Sequence, residues 1–321
     1  MEAVPRIDQG VWLDAQYRDS RNLASRQRLH QVASTAKTPW QRFVFQRLLV
    51  AGCRGPVLEV GCGPAQLWTE NADRIPAGWR ITLTDRSAGM VTAARAATSA
   101  LDASIHVQGA EVTALPFADG SFHLVIANHM LYHVAQRQLG LAEIARVLAP
   151  GGALVAATNG PAHMAELHDL LQRVGLRAEA ARASSGFDLV NGPGQLKPWF
   201  TAIRVIRHRN QLRVADPSLV VDYVRSLGGG ELPAGAEAEI RGRVAGTVAE
   251  RGCFSIRPES GLIVAKRRRR LPSRHRAASS ALGDHQVHLA IRDHEHLGWG
   301  AAIEQFLDAL RSQGPAPELV L

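Results

Sequence analysis

Between an apolar run at residues 57 to 60, Val-Leu-Glu-Val, and an incipient helix at Gln66-Leu67-Trp68 lies Gly61-Cys62-Gly63-Pro64-Ala65, and no other stretch constrains the fold as much. Backbone approaches a ligand closely only where side chains are missing, so glycines at a strand-to-helix turn mark a nucleotide-sized ligand over the edge of a sheet. Asp85 closes a second run, Thr82-Leu83-Thr84, about 20 residues further on, where an acid in such sites meets ribose hydroxyls. A dinucleotide site wants another glycine at the sixth position, so that a helix N-terminus can face a pyrophosphate. That position is Gln66, and Pro64 removes a backbone donor that a pyrophosphate would use. A nucleoside without phosphates fits the turn better than NAD does.

From residue 56 onward, short β-branched or apolar runs alternate with helical stretches, the pattern of a parallel sheet flanked by helices. Strands are expected at 57–60, 81–84, 104–107, 122–127 and 153–157, with a closing pair at 200–206 and 261–265. The fold class is therefore α/β, a seven-stranded, mostly parallel sheet with helices on both faces. Leu141, Ile144, Val147 and Leu148 mark a helix that Pro150-Gly151-Gly152 should stop, and another helix is expected over 162–174.

Upstream, Leu23, Leu29 and Val32 have roughly helical spacing, and Thr38-Pro39 signals the start of a second helix running to Val50. Trp12, Tyr17, Trp40, Phe43 and Phe45 are many aromatics for a plain surface, and either pack on the sheet or form a lid. We divide the chain into a helical lid at 1–52, a core at 53–270 with substrate-side insertions at about 177–199 and 216–256, and an extension at 271–321. In the extension, a linker leads to an amphipathic helix marked by Trp299, Ile303, Phe306, Leu307 and Leu310. It is expected to dock on the body or on a second subunit of a homodimer.

The formal net charge is +8, but Lys266, Arg267 to Arg270, Arg274 and Arg276 supply seven of it with no acid among them, leaving the rest nearly neutral. Such a run is a solvated linker or a phosphate-binding strip. Cys53, Cys62 and Cys253 are too scattered for a disulfide framework or a zinc site. His285, His288, His294 and His296 lie in a polar segment, and no metal is expected there. Nowhere do 18 uncharged apolar residues follow one another, and the first residues lack a basic-then-apolar leader, so a cytoplasmic protein that does not enter membranes is expected.

Taken together, several segments resemble, in order, the class I S-adenosylmethionine (SAM) dependent methyltransferases, especially the group related to ubiquinone and menaquinone C-methyltransferases. They are Glu59 to Ala65, Glu111-Val112, the run from Leu115-Pro116-Phe117 to Val125, Asn128 to Val134, and Arg146 to Gly152. Ala65 replaces a usual third glycine, Glu111 a commoner aspartate, and His123 an aspartate after the phenylalanine. The resemblance implies a Rossmann-like fold with SAM as cofactor. It places Glu59, Gly61 and Gly63 at the methionine end with Cys62, Asp85 at the ribose with Arg86, and Met90 on an adenine face. It also places Glu111 and Val112 at the adenine edge, and Asn128 with its carbonyl toward the SAM amino group.

A sulfonium is already a good leaving group, so such an enzyme mainly holds a nucleophile in line and excludes water, which can supply roughly 7 to 11 kcal/mol. A base adds about 10² to 10⁴ for a hydroxyl or acidic carbon. His129 beyond the fourth strand is the first candidate, then His133, with Tyr17 or His30 from the lid. After the fourth strand the chain reads Ala127-Asn128-His129-Met130, not the Asn/Asp-Pro-Pro-aromatic motif of amino methylation on nucleic-acid bases. Neither a Pro-Cys nucleophile nor the acidic metal ligands of catechol methyltransferases are found. The expected acceptor is a small molecule, such as a secondary metabolite, methylated on O, N or C, with Asp188, Asn191, Trp199 and Phe200 in its pocket. Nucleic acid is a less favoured partner; the alternatives are an RNA or ribosome methyltransferase using the basic run, and a SAM-binding regulator without turnover.

Overall fold

The central strand, β1 (Pro56–Val60), reads as nearly continuous apolar sequence because both of its faces are covered, and Val57, Leu58 and Val60 are fully buried. A computed structural model describes residues 21–52, 55–176, 186–227 and 232–268. The chain divides into Met1–Arg268 and Arg269–Leu321. Trp12, Tyr17, the basic run beyond Arg268, the histidine-rich segment and the C-terminal helix lie outside the described residues.

β1 pairs in parallel with β2 (Arg80–Asp85) on one side and β4 (Phe122–Asn128) on the other. β3 (Ser104–Gly109) extends the sheet beyond β2, and β5 (Leu148–Asn159) beyond β4, both in parallel. β9 (Ser260–Arg267) runs antiparallel to β5, and β6 (Phe200–His208) antiparallel to β9. The seven strands thus lie in the order β3-β2-β1-β4-β5-β9-β6, with every expected strand present. The order reverses between β1 and β4, so the carboxyl ends of β1, β2, β4 and β5 open one crevice.

One face is covered by α2 (Trp40–Val50), α3 (Gln66–Thr69) and α4 (Ala88–Thr98), around Phe45, Trp68 and Trp79. The other is covered by α5 (Arg137–Val147) and α7 (Gly192–Leu196), around Leu141, Ile144, Phe187 and Leu196. A third apolar cluster joins α1 (Arg21–Ala33), α6 (Ala165–Arg173), α8 (Pro217–Leu227) and α9 (Ala236–Arg251). A small antiparallel pair, β7 (Leu212–Val214) with β8 (Phe254–Ile256), completes it. Leu29, Leu167, Val220, Ile240 and Val244 are fully buried there, each worth about 1.5–3 kcal/mol on the usual scale for burying such a side chain. That cluster fixes α1 and the insertion over the strand ends.

Three expectations change. Thr38 is not the N-cap of α2; Pro39 is, in extended geometry with ψ 152° and no side-chain bond, and its carbonyl accepts the amide of Phe43 at 2.9 Å. Val32 is exposed, since Leu29 and Ala33, four residues apart, carry the buried stripe of α1. α5 ends at Val147, before Pro150-Gly151-Gly152, which lies within β5 where its register against β4 shifts. Among the described residues, no helix is long and apolar enough to cross a membrane.

Candidate functional site

At the tip of β1 the chain turns through Gly61 (φ 64°), Gly63 (φ 54°) and Ala65 (φ 61°). Gly61 is required twice over: its φ is left-handed, and a Cβ there would lie 2.7 Å from Cβ of Met130. Ala65 takes the same conformation with a side chain, at about 1–2 kcal/mol, and its methyl is fully buried. Asp85 braces the turn: Gly63 N donates to Oδ2 and Ser87 N to Oδ1, both at 2.9 Å. Each oxygen keeps a further lone pair for a ligand. Burial raises the Asp85 carboxyl above the usual aspartate range, against those two amides and the Arg86 charge.

Beneath the turn Glu59 is buried and accepts a hydrogen bond from the indole Nε1 of Trp68 at 2.6 Å. Burial pushes its carboxyl up to about 8, opposed by the Trp68 bond and assisted by the Asp85 charge. The same burial, with the charges of Glu59 and Asp85, raises the Cys62 thiol, which stays protonated and is no nucleophile. Met90 is buried at the start of α4, its amide held by Ser87 Oγ at 3.3 Å. Val112 is also buried, while Arg86 and Glu111 form a half-exposed ion pair at 3.1 Å. At the tip of β4, Oδ1 of Asn128 is buried without a hydrogen-bond partner. A buried acceptor left unmade costs about 1–3 kcal/mol, so a donor arriving with a ligand recovers that amount.

These groups line one cavity of about 900 Å³, within the 300–1,000 Å³ of small-molecule sites. Its far half is built of rings. His129 follows Asn128 in a left-handed conformation (φ 54°), and its ring lies 5.1 Å from Trp40. Such backbone in a residue other than glycine costs about 1–3 kcal/mol and clusters at functional sites. His208 packs edge-on to Trp40, with centroids 5.4 Å apart. His30, on α1, stacks on His163 at 6.4 Å and lies 6.5 Å from the ring of Tyr223, on α8.

Burial lowers all five histidines of this cavity. His30 falls to about 4, with the His208 charge contributing. His129 falls to about 4, with His30 contributing. His133 falls to about 3 beside Arg26 and His129, while His163 and His208 also move down. The imidazoles are neutral at neutral pH and able to accept protons.

The cavity brings together every described residue that the sequence singled out for cofactor or catalysis: Glu59, Gly61, Cys62, Gly63, Asp85 and Arg86, then Met90, Glu111, Val112, Asn128, His30, His129 and His133. Tyr17 lies outside the described residues. Trp40 lines the cavity, whereas Phe43 and Phe45 pack on the sheet. The four pocket residues expected from the insertion are elsewhere. The Asp188 carboxylate accepts the amides of Val190 and Asn191, Phe200 is core, and neither Asn191 nor Trp199 reaches the cavity. Sequence reasoning missed Asn159, His163, His208 and Tyr223. Asn159 ends β5 and His163 lies just beyond it, where the rule for ligands in open α/β sheets points.

Residues 58–156 match the family model described as a methyltransferase domain. The chain is 35% identical over 118 residues to the ubiquinone/menaquinone biosynthesis C-methyltransferase of Geotalea daltonii, 36% of this chain and 50% of that one. It is 34% identical over 142 residues to the malonyl-[acyl-carrier protein] O-methyltransferase of Erwinia billingiae, 44% and 53% of the two chains. The enzyme of the same name from Serratia marcescens is 28% identical over 226 residues, 66% and 81%. The chain thus spans about half the length of the first two relatives. Among solved structures, that of MccD protein superposes with a TM-score of 0.50 at 16% identity, covering 72% of this chain and 100% of the other, a likeness of fold.

Proposed function

We propose that this chain, whose residues 58–156 match a family model described as a methyltransferase domain, binds SAM and methylates a small-molecule acceptor enclosed in the ring-lined half of the cavity. The supporting observation is that the glycine turn, the unpartnered Asn128 carbonyl and the histidines all open into one chamber. The residues suit the cofactor. Asn128 Oδ1 is an acceptor for an ammonium, Asp85 keeps lone pairs for ribose hydroxyls, and Gly63 leaves room for close approach. When bound, SAM supplies an electrophilic methyl group on a sulfonium.

The remaining tasks fall to the chain. Glu59, held by Trp68, and Asp85 set the floor on which the cofactor is oriented. Helix α1 acts as a lid: Gln27 Nε2 donates to Gln66 Oε1 beside the glycine turn, and Leu23 touches Gly63 at 3.8 Å, measured from the Cβ position there. At its far end, Ser34 Oγ bonds Asn210 Oδ1 at 3.0 Å. With both ends tied, α1 keeps water from the reacting centre, and the tilted rings of Trp40 and His129 wall the acceptor's space. Secondary-metabolite tailoring in the cytoplasm is the setting we propose.

Calorimetry with SAM and S-adenosylhomocysteine, followed by transfer from methyl-labelled SAM to small-molecule extracts, tests this reading. Binding with label in a small product is expected. Label only in RNA or protein, or no binding, would overturn it.

A further inference from the structure

Resting on the reading of the chamber as an acceptor site, we infer that His163 takes the proton from a neutral phenolic or enolic hydroxyl while that oxygen is methylated. Nδ1 of His163 lies 3.2 Å from the backbone carbonyl of Glu259. A carbonyl only accepts, so Nδ1 carries the ring proton and Nε2 is a bare lone pair. Ser260 Oγ, 3.5 Å from the same nitrogen, spends its own proton on Asn159 Oδ1 at 2.8 Å and leaves this tautomer undisturbed.

The loop is built to hold that ring. Gly160 N donates to the Glu259 carbonyl at 2.8 Å, Ala162 N to the Glu259 carboxylate at 3.0 Å, and Met164 N to Arg257 O at 3.0 Å. A Cβ on Gly160 would sit 2.1 Å from the Glu259 carboxyl carbon, so a side chain there would push that carboxylate out of this clamp. The ring lines the chamber and stacks on His30, with planes 15° apart.

The chamber also selects the acceptor's charge. Among the described residues lining it, the carboxylates Glu59, Glu70, Asp85 and Glu111 all come from the segments that end β1, β2 and β3 or follow the glycine turn. The ring-lined half has none to neutralise an ammonium, so an amine, cationic at neutral pH, is disfavoured. Around His163 a carboxylate or phosphate acceptor would face neutral imidazoles; Arg26, beside His133, also lines the chamber. An aliphatic hydroxyl is too weak an acid for imidazole, whereas a phenol, with a pKa of about 10, releases its proton as the new bond forms. The groups around His163 are His30, His129, His168 and the Glu259 carboxylate, and burial before the first two keeps it neutral. In the step, the acceptor O–H bond breaks and its proton goes to Nε2. The oxygen's electron pair bonds the methyl carbon, the S–C pair stays on sulfur, and the imidazolium later yields its proton to water.

The test uses the full chain with 4-nitrophenol and two variants, His163→Gln and His163→Ala, with S-adenosylhomocysteine affinity as the control for an intact fold. In the wild-type complex, 4-nitrophenol should bind with the absorbance of its neutral form and resist ionisation at pH values where the free probe is phenolate. Both variants should keep S-adenosylhomocysteine affinity and bind the probe about tenfold more weakly, the loss of one hydrogen bond. Methyl transfer to it should fall by about 10² to 10⁴, with free imidazole restoring part of the rate in His163→Ala. The inference fails if the probe binds as phenolate, does not bind to a complex that holds S-adenosylhomocysteine, or is methylated equally well by His163→Ala. Absent S-adenosylhomocysteine binding, the methyltransferase reading itself falls.

Discussion

Replacing Asn128 by leucine should move stability and cofactor affinity in opposite directions. Its Oδ1 is buried at the tip of β4 with no partner, so the ligand-free fold carries a penalty of about 1–3 kcal/mol. Leucine has similar volume and no polar atom, which removes that penalty together with whatever the amide nitrogen contributes. Apo stability should therefore hold or rise by up to about 1 kcal/mol, where an ordinary buried polar-to-apolar change would lower it. A hydrogen bond to a charged donor such as the SAM ammonium contributes about 1.5–3 kcal/mol. Its loss should weaken SAM by roughly 10- to 150-fold at about 1.4 kcal/mol per tenfold. Denaturant unfolding without ligand and titration calorimetry with SAM give the two numbers. A variant that loses more than about 1 kcal/mol of apo stability and binds SAM as tightly as wild type would refute the reasoning, because the carbonyl would then be structural.

Glu59 predicts a pH effect. With its folded pKa raised from 4.5 to about 8, the fold holds a proton that the unfolded chain releases. The contribution of Glu59 to stability should be full below about pH 4.5, fall as pH rises toward 8 by a few kcal/mol in order of magnitude, and then level off. Glu59→Gln, which keeps an acceptor for Trp68, should flatten that fall in thermal melts; an unchanged slope would show that another group carries it. Gly61→Ala should cost about 1–2 kcal/mol in backbone strain and about 1–3 kcal/mol in forcing Met130 aside. Unfolding should report both, and calorimetry should show weaker SAM binding; a variant as stable as wild type would mean that the turn tolerates a side chain.

The sheet was legible because its strands are short apolar runs separated by turns, and because the glycine turn and Asp85 stand at a spacing that few other folds demand. Helix α9 was not. It carries Gly242 and Gly246, few apolar residues and a surface of Glu–Arg pairs, Glu237–Arg241 at 3.1 Å and Glu239–Arg243 at 2.8 Å. Its apolar stripe is little more than Ile240 and Val244, buried against α8. β7 and β8 have three residues each, too few to show alternation.

In the cavity, the cofactor half could be read because its residues sit within one local motif or at strand ends fixed by it. The acceptor half could not. His163 meets its carbonyl partner Glu259 across 96 residues of sequence, and His208 meets Thr38 across 170. Asp188 and Phe200 looked like pocket residues by chemistry alone. The fold turns the first into a cap for its own loop and buries the second in the core.

The account stands on the glycine turn cradling a phosphate-free adenosyl compound with Asp85 at its sugar. Titrating the full chain separately with S-adenosylhomocysteine and NAD, in wild type and Asp85→Ala, tests this most directly. Wild type should bind the first and not the second, and Asp85→Ala should lose roughly tenfold or more of that affinity, about 1.4 kcal/mol or above. Binding of NAD with indifference to S-adenosylhomocysteine would contradict the account.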